Sequence, residues 1–173
     1  LLSKNNTYDI VITEIGGTVG DIESLPYVEA VRQMMLEFEN DCIVIHLTLI
    51  PYLSAAGELK TKPTQHSVKA LLELGVQPDV LCCRTEHELD LNLRKKIAKF
   101  CNVSMNAVIE ARDASSIYDV PMLLQSEELD KVVLDKLALP KKSIPKLSQW
   151  KSFLERLKNP KSEVNIALIG KYV

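Results

Sequence analysis

One short stretch of this sequence combines carboxylates with glycines in a layout that suits metal and nucleotide chemistry. Glu14 ends an apolar run, and the sequence continues as EIGGTVGDIES through Asp21 and Glu23. A carboxylate at the tip of a strand can bind a divalent cation, and glycines let the backbone approach a ligand closely. The alternative interpretation of the same stretch is a long surface turn.

A second stretch, PYLSAAGELKTKPTQHS, places two lysines within three residues. Pro63 disfavours helical geometry before it, so an extended segment is predicted, with the ammonium groups of Lys60 and Lys62 on one side. Thr64 is predicted to cap the following helix, whose first amides form an anion site. Together these groups suit a phosphate-bearing ligand. The alternative is a solvated basic loop.

The composition is that of a globular protein with little net charge. The chain has 173 residues, of which 46% are hydrophobic and 25% charged, and its formal net charge is −2. This balance predicts neither a nucleic-acid nor a membrane partner, and no apolar run approaches the ~20 residues of a membrane span. The four cysteines show no C-x-x-C spacing, which predicts reduced, buried thiols in a cytoplasmic protein.

Strand-like and helix-like segments alternate over the first two thirds of the chain. Continuous apolar and β-branched runs predict strands buried on both faces, at 7–15, 42–50, 79–85 and 107–112. Helical periodicity is present at 28–38, at 68–72 with Gly75 as the C-terminal cap, and at 93–101. This order predicts an α/β fold with a parallel sheet, whose ligands bind at the carboxyl ends of the strands. Both chemical stretches fall at such ends.

The last third of the sequence changes from strands to helices. Helical faces are predicted at 128–139 and 148–157, the second with Ser148 as N-cap, and a proline-containing linker separates them. The run VNIALIGKYV at 164–173 is typical of the first strand of a further domain. Because the sequence begins without Met and stops inside this run, we expect a piece of a longer polypeptide.

Three segments resemble the synthetase (amidoligase) domain of CTP synthase: EIGGTVGDIESLPYVEAVRQ, HLTLIPYLSAAGELKTKPTQHSVK and CNVSMNAVIEARDASSIYDVP. The resemblance continues to NIALIGKYV, which is similar to the opening strand of the class I glutaminase domain in that family, so it covers essentially the whole chain. It implies a Rossmann-like, P-loop-type parallel sheet with flanking helices at 1–139. A helical interdomain linker is implied at 140–163, and the start of the glutaminase domain at 164–173.

The resemblance also implies a ligand for each motif. Glu14 matches the magnesium-binding glutamate of the family. The residues implied to hold the triphosphate of UTP or CTP are Lys60, Thr61, Lys62, Pro63, Thr64, Gln65 and Lys96. Those implied to contact the feedback inhibitor CTP are Asp21, Ile22 and Glu23. Those implied to contact ATP are Arg112, Asp113 and Ala114, and the position of Arg84 at a strand end makes it a candidate phosphate contact.

The implied reaction is the ATP-dependent amination of UTP to CTP, with ammonia released from glutamine by the second domain. Phosphorylation of O4 of UTP creates a leaving group that ammonia displaces, and Lys60 and Lys62 could neutralise charge at that step. In the family this reaction uses Mg²⁺. The resemblance further implies a cytoplasmic homotetramer that can form filaments.

Two alternatives stay open beside this interpretation. A related P-loop amidoligase, of the dethiobiotin- or cobyrinate-synthetase kind, should lack KTKPTQ, and a non-catalytic regulatory or filament-forming relative should have lost Glu14 or the lysines. No G-x-x-x-x-G-K-[ST] motif occurs in the sequence. In the family that motif would lie upstream of Leu1 and the glutaminase nucleophile downstream of Val173, so the chain alone is predicted to be inactive.

The histidines and the paired cysteines also have structural interpretations. His46 lies mid-strand and is predicted to be a packed core residue, whereas His87 lies in a polar stretch and is predicted to be solvated. His66 lies beside the triphosphate segment, and the sequence favours equally a role in ligand binding and no role in it. Cys82 and Cys83 are predicted to lie in the core.

Overall fold

A three-stranded parallel sheet forms the centre of the fold, in a computed structural model that describes residues 8–140 and 145–171. Strands β1 (Ile45–Ile50), β4 (Val80–Thr85) and β5 (Val108–Arg112) lie in the order β1-β4-β5. A hairpin of β2 (Tyr52–Leu53) and β3 (Glu58–Leu59) follows β1 directly. Ile50 aligns with Thr85, and Thr85 with Arg112, so the carboxyl ends of the three strands meet at one edge.

Six α-helices surround or follow the sheet in the described part of the chain. They are α1 (Leu25–Glu37), α2 (Lys62–Glu73), α3 (Leu91–Cys101), α4 (Val120–Ser126), α5 (Leu129–Lys136) and α6 (Ser148–Lys158). The predicted α/β class with a parallel sheet is confirmed, and α4 is a short helix that periodicity did not predict. None of these helices has both the length and the apolar character needed to cross a bilayer.

Successive side chains of a strand point to opposite faces of the sheet, and helices cover both faces of the central strand. This explains why the strand sequences are continuous apolar runs. On one face of the sheet Ile50, Leu81 and Cys83 pack against α2 and α3, and on the other face Val80 and Ile109 pack against α5. The central strand β4 is therefore buried on both sides. At β1 the second face stays uncovered, because its outward residues Ile45, Leu47 and Leu49 are 45%, 66% and 57% exposed.

The strands predicted at 7–15 and 164–173 are not formed in the part of each run that the structure describes. Residues 8–15 and 163–170 have no regular secondary structure, and Ile12 and Ile169 are 93% and 94% exposed. A strand needs a partner for its ladder hydrogen bonds, and neither segment pairs with any described strand. The ends of the two predictions, at residue 7 and at 172–173, fall outside the described residues.

Candidate functional site

Cationic side chains from successive segments meet at the carboxyl edge of the sheet. Lys60 directly follows the hairpin after β1, and Lys62 is the first residue of α2. Arg84 lies one residue before the end of β4, and Arg112 is the last residue of β5. The parallel register places these strand ends side by side. This edge therefore concentrates four cationic side chains in a chain whose formal net charge is −2, and three of the four pair with nearby carboxylates.

The segment KTKPTQ starts a helix instead of being extended, so that prediction is wrong. Thr61 already has helical angles (φ −86°, ψ −9°), and Pro63 is the second residue of α2. Proline is well tolerated in the first turn, because the N–H that it lacks would have no acceptor in the helix. The N–H groups of Lys62 and Thr64 likewise have no acceptor within the helix. They point out of the helix start, where an anion binds favourably.

Thr64 is not the N-cap that the sequence predicted. Its side chain is fully buried, and its single hydroxyl proton lies between two acceptors on β1, the carbonyl of Leu49 at 3.1 Å and Oγ1 of Thr48 at 3.2 Å. These bonds fasten the start of α2 to β1. Thr61 is also buried and accepts a hydrogen bond from Nε2 of Gln65 at 3.1 Å. Both threonine hydroxyls thus have partners within the protein.

Lys60 and Lys96 act on the same carboxylate at this edge. The ammonium group of Lys60 pairs with Glu58 in the hairpin. The pKa of Glu58 is held below its usual value by that hydrogen bond and the charge of Lys60, with a further contribution from Lys96 on α3. The structure therefore brings two of the predicted triphosphate lysines near each other, although they lie on different elements.

The predicted ATP residues continue the sheet edge past β5. The N–H of Asp113 donates to the carbonyl of Thr85 at 2.9 Å, which extends the strand pairing by one residue. Nε of Arg84 contacts Oδ1 of Asp113 at 3.1 Å, and the side chain of Arg84 is 66% exposed. Ala114 follows as a half-buried residue. Arg84 is thus close to the predicted ATP residues while its charge faces solvent.

The three histidines have different environments. His46 is buried, its Nε2 lies 2.8 Å from Oγ of Ser67, and burial lowers its pKa, so its predicted core position is confirmed. His66 is exposed on α2. His87 is exposed as predicted, but its ring also contacts Tyr52 with 4.0 Å between centroids. That contact joins the hairpin to the loop after β4.

The paired cysteines differ in depth. Cys83 is fully buried in the core, as predicted, and burial raises the pKa of its thiol to about 12. Cys82 is half-buried, and burial raises its pKa as well. A thiol with a raised pKa carries little thiolate near neutral pH, so these groups are poor nucleophiles.

The loop that contains Asp21 is a surface turn stabilised by its own polar groups. The carboxylate of Asp21 accepts the N–H of Thr18 at 2.9 Å, and the hydroxyl of Ser24 donates to the carbonyl of Asp21 at 2.9 Å. Gly17 and Gly20 have φ of +88° and +102°, angles that side chains rarely adopt. Asp21 therefore stabilises the turn, whereas the next two residues, which complete the predicted CTP contact, are exposed.

This loop lies near the far end of α2, away from the lysines. Val19 packs against a cluster that includes Leu71 and Val76. Leu71 is nine residues beyond Lys62, which corresponds to about 14 Å along a helix axis. Within one chain the loop is therefore associated with the second half of α2, whereas the KTKPTQ segment forms its start.

Glu14 is an exposed carboxylate at the start of this loop region. The described residues contain no group of three or more His, Cys, Asp or Glu side chains that could hold a metal ion. Magnesium often takes only one or two carboxylates and completes its shell with water and substrate phosphates. A single exposed carboxylate fits that type of site.

A buried ion network near the edge was missed by the sequence reasoning. Glu110 in β5 is 5% exposed and pairs with Arg94 of α3 and with Arg112. Arg94 also pairs with Glu127 at 2.6 Å. Burial acts to raise the pKa of Glu127, but the bonds from Arg94 and from the N–H of Glu110 outweigh it and lower that pKa. The signal was the charge inside AVIEAR, because a charge in a buried strand requires partners.

Comparison with known proteins gives consistent matches. Residues 1–139 match the family model described as CTP synthase N-terminus. Similar proteins include the CTP synthases of Christiangramia forsetii, Bacteroides fragilis and Porphyromonas gingivalis, at 66%, 58% and 53% identity. Each of these alignments covers 100% of this chain but 32% of the relative. The chain thus spans about a third of the length of the curated relatives that it matches.

Proposed function

This chain belongs to the CTP synthase family, and from that premise we propose that it forms the nucleotide-binding part of an enzyme that aminates UTP to CTP. The nitrogen is ammonia derived from glutamine, and ATP supplies the phosphoryl group. Membership in the family argues against the related amidoligases that the sequence had left open. A non-catalytic relative is the other candidate, and CTP formation by the intact enzyme separates the two.

The observation that carries the proposal is the cationic carboxyl edge of the sheet. Lys60 and Lys62 lie just before and at the start of α2, where helix N–H groups also point outward, and an arginine lies at or next to the end of each of the two neighbouring strands. Phosphates bind to this combination of charge and backbone donors. An edge that spans three strands provides room for two phosphate-bearing ligands next to each other.

We assign the first ligand, UTP, to the α2 side of the edge. Lys60, Lys62 and Lys96 would neutralise its triphosphate, and the N–H groups at the helix start would donate to phosphate oxygens. The remaining residues assigned to this ligand are Thr61, Pro63, Thr64 and Gln65. Since both threonine hydroxyls already have partners, these residues would act mainly by shaping the helix start.

We assign the second ligand, ATP, to the β5 side of the edge. Arg112, Asp113 and Ala114 would contact the adenine, and the exposed guanidinium of Arg84 would contact phosphate. Glu14 would hold Mg²⁺, which would supply positive charge to neutralise the phosphates.

The chemistry proposed for this site is phosphoryl transfer followed by displacement. O4 of UTP attacks the γ-phosphorus of ATP as N3 of the ring loses its proton, ADP leaves, and the phosphorylated oxygen becomes a leaving group. Ammonia then attacks C4, phosphate departs, and loss of a proton gives CTP. Lys60 and Lys62 contribute by neutralising the charge that develops on the transferred group.

We further propose that the loop after Glu14 senses the product. Asp21, Ile22 and Glu23 would contact CTP when it acts as feedback inhibitor. Because this loop lies apart from Lys60 and Lys62, it would affect inhibition by CTP without binding the triphosphate.

The proposal extends to the organisation of the chain. Residues 1–139 would belong to the synthetase domain, 140–163 to an interdomain linker that includes α6, and 164–173 to the start of a class I glutaminase domain. The enzyme would be a cytoplasmic homotetramer with a capacity to form filaments, and this chain alone would be inactive.

The test is Lys60→Ala in the intact enzyme, meaning a protein of the relatives' full length that contains this chain. CTP formation should fall at least about a hundredfold, because removal of a transition-state charge partner typically costs that much. Glutamine hydrolysis should stay measurable. Lys62→Ala should behave similarly.

A matched control is Lys69→Ala, which removes an exposed lysine two turns further along α2. It should leave CTP formation unchanged. Substantial CTP formation in the Lys60 variant, or an equal loss in the Lys69 variant, would contradict the proposed role. An unmodified intact enzyme that makes no CTP would support the non-catalytic alternative.

A further inference from the structure

Glu110 is a buried carboxylate whose two oxygens face different partners. Oε2 accepts the N–H of Leu89 at 2.7 Å and lies 3.2 Å from Nη2 of Arg94. Oε1 lies 3.2 Å from Nε of Arg112. A carboxylate that is 5% exposed is costly to desolvate unless it is fully paired. Its position therefore has to be fixed by these contacts.

The inner partner, Arg94, is itself fixed from several sides. Its Nη1 and Nη2 contact the two oxygens of Glu127 at 2.6 and 3.0 Å, which is a bidentate pair. Its Nε and Nη1 also donate to the carbonyls of Leu89 and Val108 at 3.0 and 3.1 Å. With these bonds Arg94 cannot shift far. Arg94 on α3 thus connects β5 to the end of α4 and supports Glu110 rigidly.

The outer partner, Arg112, ends β5 at the cationic edge and is 46% exposed. The contact with Glu110 uses Nε and not the two terminal nitrogens. The two terminal nitrogens then remain available for a ligand at the edge. A long, half-exposed arginine has many rotamers, and the ion pair with a buried carboxylate restricts them.

We propose that Glu110 is a positioning residue for ATP, which holds the guanidinium of Arg112 in the orientation that contacts the nucleotide. The inference rests on the proposed assignment of Arg112 to ATP. Glu110 does not itself touch ATP, and it acts through Arg112 alone. The competing interpretation is that the four charges only stabilise the fold.

The test uses Glu110→Gln in the intact enzyme, with steady-state kinetics in ATP and in UTP. The KM for ATP should rise about tenfold, as expected when a binding group loses its orientation. The kcat at saturating ATP and the KM for UTP should stay within about twofold, because α3 and Lys96 are still held by the Arg94–Glu127 pair. A purely structural network would instead lower thermal stability and affect both nucleotides alike.

Glu127→Gln is the matched control: Glu127 pairs with Arg94 and reaches Arg112 only through its charge, and glutamine keeps an oxygen that can accept the N–H of Glu110. It should lower the melting temperature and leave the KM for ATP unchanged. An equal rise in that KM in both variants would overturn the specific role of Glu110. If Glu110→Gln does not fold, Glu110→Asp provides the same test, since it keeps the charge but shortens the reach to Arg112.

A double mutant separates the failure of this inference from the failure of the proposed function. Arg112→Gln should raise the KM for ATP, and the double variant Glu110→Gln/Arg112→Gln should be no worse than Arg112→Gln. Additive effects would show that Glu110 does not act through Arg112, which overturns the inference alone. No change in Arg112→Gln would overturn the assignment of Arg112 to ATP, and the inference with it.

Discussion

At the scale of single residues, the polar groups of this chain divide into those used by the fold and those left for a ligand. The hydroxyl of Thr64 and the carboxylate of Asp21 already have backbone partners, so their first role is structural. Lys62 and Glu23 are exposed and have charges that no described partner neutralises. Predictions about function therefore concern the second group.

Glu14→Gln tests the metal assignment, because it keeps the size of the side chain and removes its charge. A hard cation loses one anionic oxygen ligand, so the magnesium concentration needed for half-maximal CTP formation should rise by about tenfold. Folding should be unaffected, since Glu14 is exposed. Titration of Mg²⁺ at fixed ATP measures the effect. Unchanged magnesium dependence would mean that Glu14 is merely part of the loop.

Glu23→Ala tests the proposed sensing of product. An interaction with a charged partner is worth about 1.5–3 kcal/mol, so inhibition by CTP should weaken by one to two orders of magnitude. The apparent affinity for UTP should change much less, because the loop packs near Leu71 at the far end of α2. CTP inhibition of the intact enzyme at fixed UTP is the measurement. Parallel losses for CTP and UTP would indicate a general nucleotide contact.

At the scale of elements, hydrogen bonds, a ring contact and an ion pair attach the segments that follow the strands to neighbouring elements. The start of α2 is fastened to β1 through Thr64, and the hairpin is fastened to the loop after β4 through Tyr52 and His87. Helix α6 packs on the turn that follows the proposed ATP residues: Nε1 of Trp150 donates to the carbonyl of Tyr118 at 3.0 Å, and Lys158 pairs with Asp119 at 2.7 Å. Each loop of the candidate site thus has at least one anchor in a neighbouring element.

Gly75→Ala tests the connection between α2 and β4. Gly75 has a φ of +81°, so a side chain there should cost about 1–2 kcal/mol of folding free energy. An added Cβ would also lie 2.8 Å from Cδ of Arg32 on α1. We expect the midpoint of denaturant unfolding to fall.

The matched control is Gly57→Ala, in the hairpin turn. Gly57 has a φ of +67° but no atom within 4 Å of an added Cβ. The Gly75 variant should be the less stable of the two, and the difference measures the contact with Arg32. Equal losses would mean that Arg32 moves aside at no cost.

At the scale of the whole molecule, the described chain combines a well-packed centre with uncovered apolar surfaces. Val68, Leu81 and Ile97 are at most 1% exposed, whereas the outward face of β1 and the two apolar terminal runs are open to solvent. The buried centre also contains titratable groups, and burial couples their protonation to folding. His46 is a buried group whose protonation is coupled to folding in this way.

His46 should make stability depend on pH. Burial lowers its folded pKa below the value of about 6.5 expected in the unfolded chain, so the unfolded state takes up the proton first as pH falls. The contribution of neutral, buried His46 to the free energy of unfolding is fully present above about pH 6.5 and is lost as the pH decreases below that value. Unfolding measured at pH 8.0 and 5.5 should show a smaller pH effect in His46→Gln than in the wild type. His66→Gln, at an exposed position, is the control and should keep the wild-type pH effect.

The sequence by itself determined the α/β class, the core strands and the chemical motifs. Buried strands such as β4 are continuous apolar runs, and this pattern can be recognised from the local sequence without knowing which strands lie beside it. The motifs around Glu14 and in KTKPTQ were likewise visible as residue types at short spacing, and they carried the family resemblance.

Only the tertiary structure decided where those groups act, because partners distant in sequence determine it. The run at 7–15 has the composition of a strand but lacks a described neighbour to pair with. Thr64 is suited to capping a helix but is buried against β1, and the helix starts earlier, where Pro63 fits its first turn. The Glu110 network joins residues 16 and 33 positions apart, a juxtaposition that no local spacing encodes. Pairing, burial and charge compensation are properties of contacts, and these contacts form only when the chain folds.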